Sequence, residues 1–541
     1  MKKYFAALGM LFLAACAEQE QRRPNILLIV ADDLGYSDIG AFGGEISTPN
    51  LDQLASDGIR MSNFYAATSC APTRSMLFGG VDNHKAGLGG RLPEGLTGKP
   101  GYEGYLNFDV VSVANLIKDA GYHTYMTGKW HLGLEENQGP QARGFEKSFA
   151  LLQGGASHFD DGTILKNYPK ATYREDGKIT GLPDDFFSSK FFTDKLINYL
   201  KSNEGDDKPF FGYLAYTAPH WPLQAPEDYI DKYKGQYDDG YMVLREKRVR
   251  SMQEIGLVGK DVKVLPPTFS EEEYWENIDQ ETKLRRARQM EIYAAMVDNM
   301  DYHIGRLFGY LKDSKQWENT IVFFISDNGA PGSHPGLLPS VTYEWIEENF
   351  DLSYENMGKP NSYVHYGLHW GGASTVPYRL FKAYTAEGGI KVPAIVHFKE
   401  QNLEFVGKFS DQMMTVVDLA PTFLEIAGAK HPGETYHGRK VHAYQGTSAM
   451  PYLRGMRNFI HDENYAMGWE AAGRPALRKG HWKIVAIQSP NGTGEFELFN
   501  LENDPGETDN LRDQYPIKFA ELHDLWLEYM IENDVVGGAG L

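Results

Sequence analysis

Apolar residues in the first two-thirds of the chain fall in short unbroken runs rather than in strict alternation with polar ones. A strand with one wet face alternates, so unbroken runs are the pattern of parallel strands covered on both faces. Five runs fit: residues 25–30, 122–127, 210–216, 320–325 and 393–398. Helical periodicity lies between them. Residues 110–120 precede the second run, and within 286–311 the side chains Met296, Met300, Ile304, Leu307 and Leu311 share one helical stripe, which reads as core. The composition shifts near residue 455. Beyond it, strand-like pieces at 480–487 and 496–501 and a helix over 517–532 predict a small antiparallel C-terminal subdomain. Residues 225–285, charged and irregular, read as an insertion over one edge of the main sheet. A chain of 541 residues accommodates one large α/β unit, taken as 24–455, with an appendage at 456–541.

The N-terminus belongs to a different category. Met1-Lys2-Lys3 is a short positive segment, residues 4–13 are apolar, and Leu13-Ala14-Ala15-Cys16 matches a bacterial lipobox. Residues 1–16 therefore read as a signal peptide too short to span a membrane in the mature protein. Cleavage before Cys16 and its acylation would make the chain an exported lipoprotein, periplasmic or anchored to the outer membrane. Ala17 after the cysteine, in place of Asp, favours outer-membrane sorting. The alternative is an ordinary secretory signal that ends in Cys. Since the sequence holds two cysteines, lipidation leaves Cys70 without a disulfide partner.

Charge narrows the possible partners. Lys and Arg number 53 against 73 Asp and Glu, a formal −20, and loss of Lys2 and Lys3 takes it to −22. Such acidity argues against nucleic acid and anionic membrane surfaces as partners. An anionic substrate would have to be held by local cations.

Candidate chemistry gathers where the predicted strands end. The first run ends in Asp32-Asp33, the second in Lys129-Trp130-His131, the third in Thr217-Ala218-Pro219-His220 and the fourth in Asp327-Asn328. In an open parallel sheet the carboxyl ends face one crevice, so groups scattered over the chain can converge. Asp32, Asp33, Asp327 and Asn328 are hard oxygen donors suited to calcium or magnesium, whereas zinc favours His or Cys. Arg74, Lys129, His131, His220 and Lys382 are donors and proton carriers for an anion. Cys70 opens Cys70-Ala71-Pro72-Thr73-Arg74, where Pro72 suits the first turn of a helix and Arg74 returns one turn later on the same face. Taken alone, this spacing also suits a buried structural cysteine.

The segments PNILLIVADDLGYSDIG, SCAPTRSML, TGKWHLG, TAPHWPLQAP, ISDNG, KAYTAEGGIKVP and ELFNLENDPGETDNL, in this order, resemble the blocks of the type I, formylglycine-dependent sulfatase family. TAPHWPLQAP and the KAYTAEGGI context are most similar to bacterial arylsulfatases. The resemblance covers nearly the whole mature chain. It implies an alkaline-phosphatase-like α/β sandwich, with a large mixed, mostly parallel sheet flanked by helices and a small C-terminal antiparallel sheet. It further implies that Cys70 is matured to 3-oxoalanine (Cα-formylglycine) by a formylglycine-generating enzyme, and that Asp32, Asp33, Asp327 and Asn328 bind one Ca²⁺ alongside residue 70. By the same resemblance Arg74 and Lys129 hold the aldehyde hydrate, His131 acts on its second hydroxyl, and His220 with Lys382 serves the leaving oxygen. The expected reaction is hydrolysis of a sulfate monoester on a small molecule or glycan. Thr73 departs from the family, which more often has Ser there. Two other readings stay open. One is a phosphonate or phosphodiester hydrolase of the same superfamily, against which Asn328 argues because phosphorus-handling relatives tend to carry His after that Asp. The other is a sulfoglycan-binding lipoprotein without turnover, which would have no need of both His131 and His220.

Overall fold

The structure, a computed structural model, describes residues 22–90, 98–266, 268–338 and 340–536. Cys16 and the expected signal peptide lie outside the described residues. Among the described residues no helix is long and apolar enough to cross a membrane.

Ten strands form the main sheet, in the order Phe409–Ser410, Ile59–Met61, Ala394–His397, Thr320–Ser326, Asn25–Ala31, Phe210–Ala215, His123–Lys129, Lys147–Leu151, Tyr173–Glu175 and Lys178–Thr180. All five apolar runs are strands. Every residue of Asn25–Ala31, Phe210–Ala215 and Thr320–Ser326 is buried, as two-sided coverage requires. Alternate residues of the central strand feed two separate cores. Leu27 and Ile29 pack with the helices Ser188–Lys201 and Gln280–Asp313, while Ile26, Leu28 and Val30 pack with the helices Cys70–Gly79, Val113–Asp119 and Leu419–Ala427. The stripe Met296, Met300, Ile304, Leu307 and Leu311 is buried in the first of these cores.

Register decides where the strands finish. Ala31 pairs with Ser326, Val30 with Ala215, and Gly128 again with Ala215, all in parallel. The four chain segments that leave these strands therefore emerge at one edge. Ala394–His397 runs antiparallel to Thr320–Ser326, with Ala394 opposite Ile325. Its entry, not its exit, faces that edge, which is why the segment carrying Lys382 reaches the crevice from before the strand.

Residues 225–285 are more regular than their composition suggests, with helices at Glu227–Lys232 and Gly240–Glu254. The second helix buries Tyr241, Leu244, Arg248 and Met252 on one face. Arg248 bonds Asp38 at 2.5 Å and Glu45 at 2.7 Å. This helix thus packs over the loop that follows the central strand, where acid partners let a buried arginine serve as an interior residue.

The C-terminal sheet is antiparallel, in the order Ala466–Ala471, Arg474–Lys479, Trp482–Ala486 and Phe496–Asn500. Helix Pro516–Glu532 lays Leu522, Trp526 and Met530 against Leu477, Ile484 and Leu498. Buried charges join this sheet to the main unit. Lys483 Nζ lies 2.8 Å from Glu387 and 2.8 Å from Glu507, and the Tyr65 hydroxyl donates to Glu387 at 2.6 Å.

Candidate active site

Cys70 is the first residue of helix Cys70–Gly79, preceded by extended Ser69. Pro72 lies in the first turn, where its missing N–H costs nothing. Gly80, at φ 61°, closes the helix with its N–H on the Met76 carbonyl. One turn after Cys70, the buried Arg74 donates through Nε at 3.0 Å and Nη2 at 2.8 Å to Asp327. Its Nη1 reaches the Lys129 carbonyl at 2.8 Å and the Tyr213 hydroxyl at 3.0 Å. Thr73 Oγ1 accepts the Ala67 N–H at 2.9 Å, a task a serine hydroxyl could also perform.

The oxygen donors meet beside the thiol. Asp32, Asp33, Asp327 and Asn328 are each 0% exposed. Cys70 Sγ stands 3.3 Å from Asp32 Oδ1 and 3.6 Å from Asp33 Oδ1. Lys129 Nζ donates to Asp32 at 2.6 Å. Lys382 Nζ bridges both oxygens of Asp33, at 2.6 and 2.8 Å, and lies 3.3 Å from Cys70 Sγ. Asp33 sits at φ 69°, a left-handed conformation held by its own N–H on Asp327 Oδ1 at 3.2 Å. Asn328 Nδ2 donates to Asp33 at 2.7 Å, while Asn328 Oδ1 is buried without a partner.

These neighbours set the protonation states. Burial would raise the Asp33 carboxyl, but Lys382, His220 and Lys129 outweigh it and hold it below the ordinary range. Burial and the Asp32 charge push Asp327 up, against Arg74. Burial, Asp32 and Asp327 push the Cys70 thiol well above its ordinary value. An unmodified thiol here stays protonated at neutral pH and is a poor nucleophile.

Both histidines are held neutral. Burial, followed by Lys129 and Arg74, drives His131 well below its ordinary value. Its Nδ1 is buried without a partner and its backbone is left-handed, at φ 56°. Burial drives His220 down to about 3, with Lys382 and Lys129 adding to it against Asp33. His220 Nδ1 donates to the Trp221 carbonyl at 2.5 Å, leaving Nε2 3.6 Å from Asp33 Oδ2.

Every residue singled out from the sequence, from Asp32 to Lys382, converges on this crevice. Three participants carried no such signal. Tyr213 lies inside a strand that reads as core, yet its hydroxyl supports Arg74. His158 holds the His220 carbonyl through Nε2 at 3.1 Å and contacts Ser188 Oγ through Nδ1 at 2.8 Å. Gly154 makes room for an imidazole, since a Cβ there would lie 2.7 Å from His131 Cε1.

The donor chemistry fits a divalent cation. Three buried carboxylates and an orphaned amide oxygen form a hard-oxygen set of the kind calcium prefers. Lys382 already supplies positive charge at its centre.

Residues 24–429 match the family model described as Sulfatase, and residues 378–529 match that described as N-sulphoglucosamine sulphohydrolase, C-terminal. The chain is 42% identical over 532 residues to an uncharacterized sulfatase of Schizosaccharomyces pombe, covering 96% of this chain and 95% of that one. It is 39% identical over 431 residues to the arylsulfatase of Klebsiella aerogenes, covering 79% and 91%. Among solved structures, Ps i-CgsB aligns with a TM-score of 0.68 at 26% identity, over 94% of this chain and 93% of that one. An open α/β sheet with a crevice of paired acids and cations at its carboxyl edge, combined with these matches, places the chain in the sulfatase family. It is an enzyme that hydrolyses sulfate esters.

Proposed function

We propose that this sulfatase is of the arylsulfatase type and works through Cys70 oxidised to Cα-formylglycine, with one calcium ion held by Asp32, Asp33, Asp327 and Asn328 beside residue 70. The observation that carries the reading is the placement of Cys70. It stands at a helix N-terminus against two carboxylates and Lys382, where its own thiol is held protonated. When present, the hydrated aldehyde supplies an oxygen nucleophile and calcium a Lewis acid for the sulfate oxygens. The protein's part is electrostatic. Asp32, Asp33 and Asp327 face Lys129, Lys382 and Arg74, three acids against three cations. A divalent ion added to that balanced set leaves surplus positive charge for an anionic ester.

The proton carriers divide by position. His131, kept neutral by burial and the nearby cations, takes a proton from residue 70. His220 and Lys382 serve the leaving oxygen. The resemblance to the Klebsiella arylsulfatase supports aryl sulfates as test substrates, and sulfated glycans complete the panel. Peptide mass spectrometry of protein co-expressed with a maturation enzyme should find residue 70 as the aldehyde. Unmodified Cys70 in fully active enzyme would remove the formylglycine reading.

The LAAC sequence supports export and anchoring through a lipid on Cys16. Cys16→Ser should then release the protein from the membrane fraction with unchanged catalysis. Unchanged membrane association would refute this anchor.

A further inference from the structure

Before maturation the crevice holds a different set of donors from the one calcium would use. Cys70, His220, Asp32 and Asp33 each present a ligand atom, and those four atoms all lie within 4.8 Å of one another. We infer that the folded chain with unoxidised Cys70 is a zinc site, with Cys70 Sγ, His220 Nε2 and one oxygen each from Asp32 and Asp33 as ligands. The inference rests on the reading of Cys70 as a maturation substrate.

Thiolate and imidazole are the ligands that select zinc over calcium. The spacing suits a tetrahedron. Bonds of the usual Zn–S and Zn–O lengths imply donor separations of about 3.5 Å. The sulfur lies 3.3 Å from Asp32 Oδ1 and 3.6 Å from Asp33 Oδ1, His220 Nε2 lies 3.6 Å from the other Asp33 oxygen, Oδ2, and a turn of that carboxylate would bring one oxygen to both. His220 is also prepared for the role. Its Nδ1–H is fixed on the Trp221 carbonyl, which turns a bare Nε2 toward the cluster, the outer hydrogen bond that metal-binding histidines ordinarily have. Asn328 gives its Nδ2 to Asp33 and leaves its buried Oδ1 without a partner. Lys382 Nζ bridges Asp33 and Cys70 and stands in for the ion. Its side chain is 17% exposed and flexible, so it can withdraw when a metal enters.

Binding is a simple exchange. The thiol loses its proton to solvent as the sulfur–zinc bond forms, and no electrons are transferred. Once sulfur is gone from residue 70, the softest ligand is gone with it, and the remaining carboxylates and Asn328 favour a hard ion. Maturation would thereby switch the metal preference of the site. Zinc on the folded, unmatured chain would also shield the sulfur from reagents.

The test uses the full chain expressed without a maturation enzyme. Zinc titration should load one ion per chain with release of one proton, and cobalt(II) should give a thiolate-to-metal charge-transfer band in the near ultraviolet. Cys70→Ser should lose that band and bind zinc more than about 100-fold more weakly, beyond the range typical for loss of an outer-shell partner. His220→Ala should weaken zinc while keeping the band. Zinc should slow alkylation of Cys70 by iodoacetamide. Equal zinc affinity in wild type and Cys70→Ser, or a cobalt complex without the thiolate band, would overturn the inference. In that event a matured enzyme that binds calcium leaves the proposed function standing. Conversely, failure of Cys70 to mature leaves a positive zinc result intact.

Discussion

Two buried clusters of acids and bases share one short stretch of chain. Lys382 reaches Asp33 and Cys70 in the crevice, and Glu387, a little further on, meets Lys483 and Glu507 at the junction with the C-terminal sheet. Both contain carboxylates and lysines at hydrogen-bond distance. They differ in closure. At the junction Lys483, Glu387 and Glu507 are sealed between the two units, and although burial opposes it, Lys483, Lys391 and Arg478 hold the Glu387 carboxyl down to about 2. In the crevice Lys382 is partly exposed, and Asn328 Oδ1 and His131 Nδ1 lack partners. Buried charge is costly unless paired, so the junction uses its pairs to hold the units together. The crevice buries Arg74–Asp327 and Lys129–Asp32 as completely, but its Lys382–Asp33 pair has a partly exposed cation, and polar groups are left over for a ligand.

That contrast can be broken most forcefully at residue 70. Cys70→Ala should lower turnover by about 10⁶-fold, the scale seen when an enzyme nucleophile is removed, while the melting temperature stays near wild type. A variant that melts much lower would make the crevice a stability element like the junction. Asp327→Ala should likewise abolish calcium-dependent turnover, and because it leaves the buried Arg74 without its carboxylate it should also cost about 3–5 kcal/mol of stability, checked by metal content and urea unfolding together.

Smaller losses separate the two histidines. His220→Ala should slow alkyl and sugar sulfates by about 10²–10⁴-fold but nitrophenyl sulfate far less, because a good leaving group needs little protonation. His131→Ala should lose activity in the same range whatever the leaving group, with sulfated enzyme accumulating. Pre-steady-state kinetics on several esters distinguishes these outcomes. Identical leaving-group dependence in both would contradict the division of roles.

At the junction the opposite result is expected. Glu387→Gln leaves Lys483 short of a partner and should cost about 3–5 kcal/mol of stability in urea unfolding, while the kcat of the folded fraction is retained. A large kcat loss without destabilisation would erase the distinction.

The smallest effect concerns pH. Burial lowers His158 to about 4 in the folded chain, below its ordinary value near 6.5. The unfolded chain then binds more protons between these values, so this contribution is complete above pH 6.5 and is lost as pH falls toward 4. The slope should be about 1.4 kcal/mol per pH unit for this residue, and His158→Gln should flatten it. An unchanged profile in that variant would show that His158 is not buried in its neutral form.

Much of the site was legible because strand ends are marked in one dimension. An unbroken apolar run followed by Asp32-Asp33 or Asp327-Asn328 reads as a buried strand delivering polar groups to an edge, and the parallel register carries them to the same edge. Tyr213 and His158 were not legible, since each acts through a partner distant in sequence. The burial of Arg248 in the 225–285 segment was not legible either, since its partners Asp38 and Glu45 are distant in sequence.

The chain alone thus determined the strands, the helix-opening turn at Cys70 and the kinds of ligand available, since periodicity, proline placement and donor chemistry are local properties. Only the tertiary structure decided which buried charges line the crevice and which join the two units. Lys382 and Glu387 lie in one segment, and their roles diverge because the turn between them sends one side chain to an open crevice and the other to a sealed junction, where solvent access and leftover partners differ.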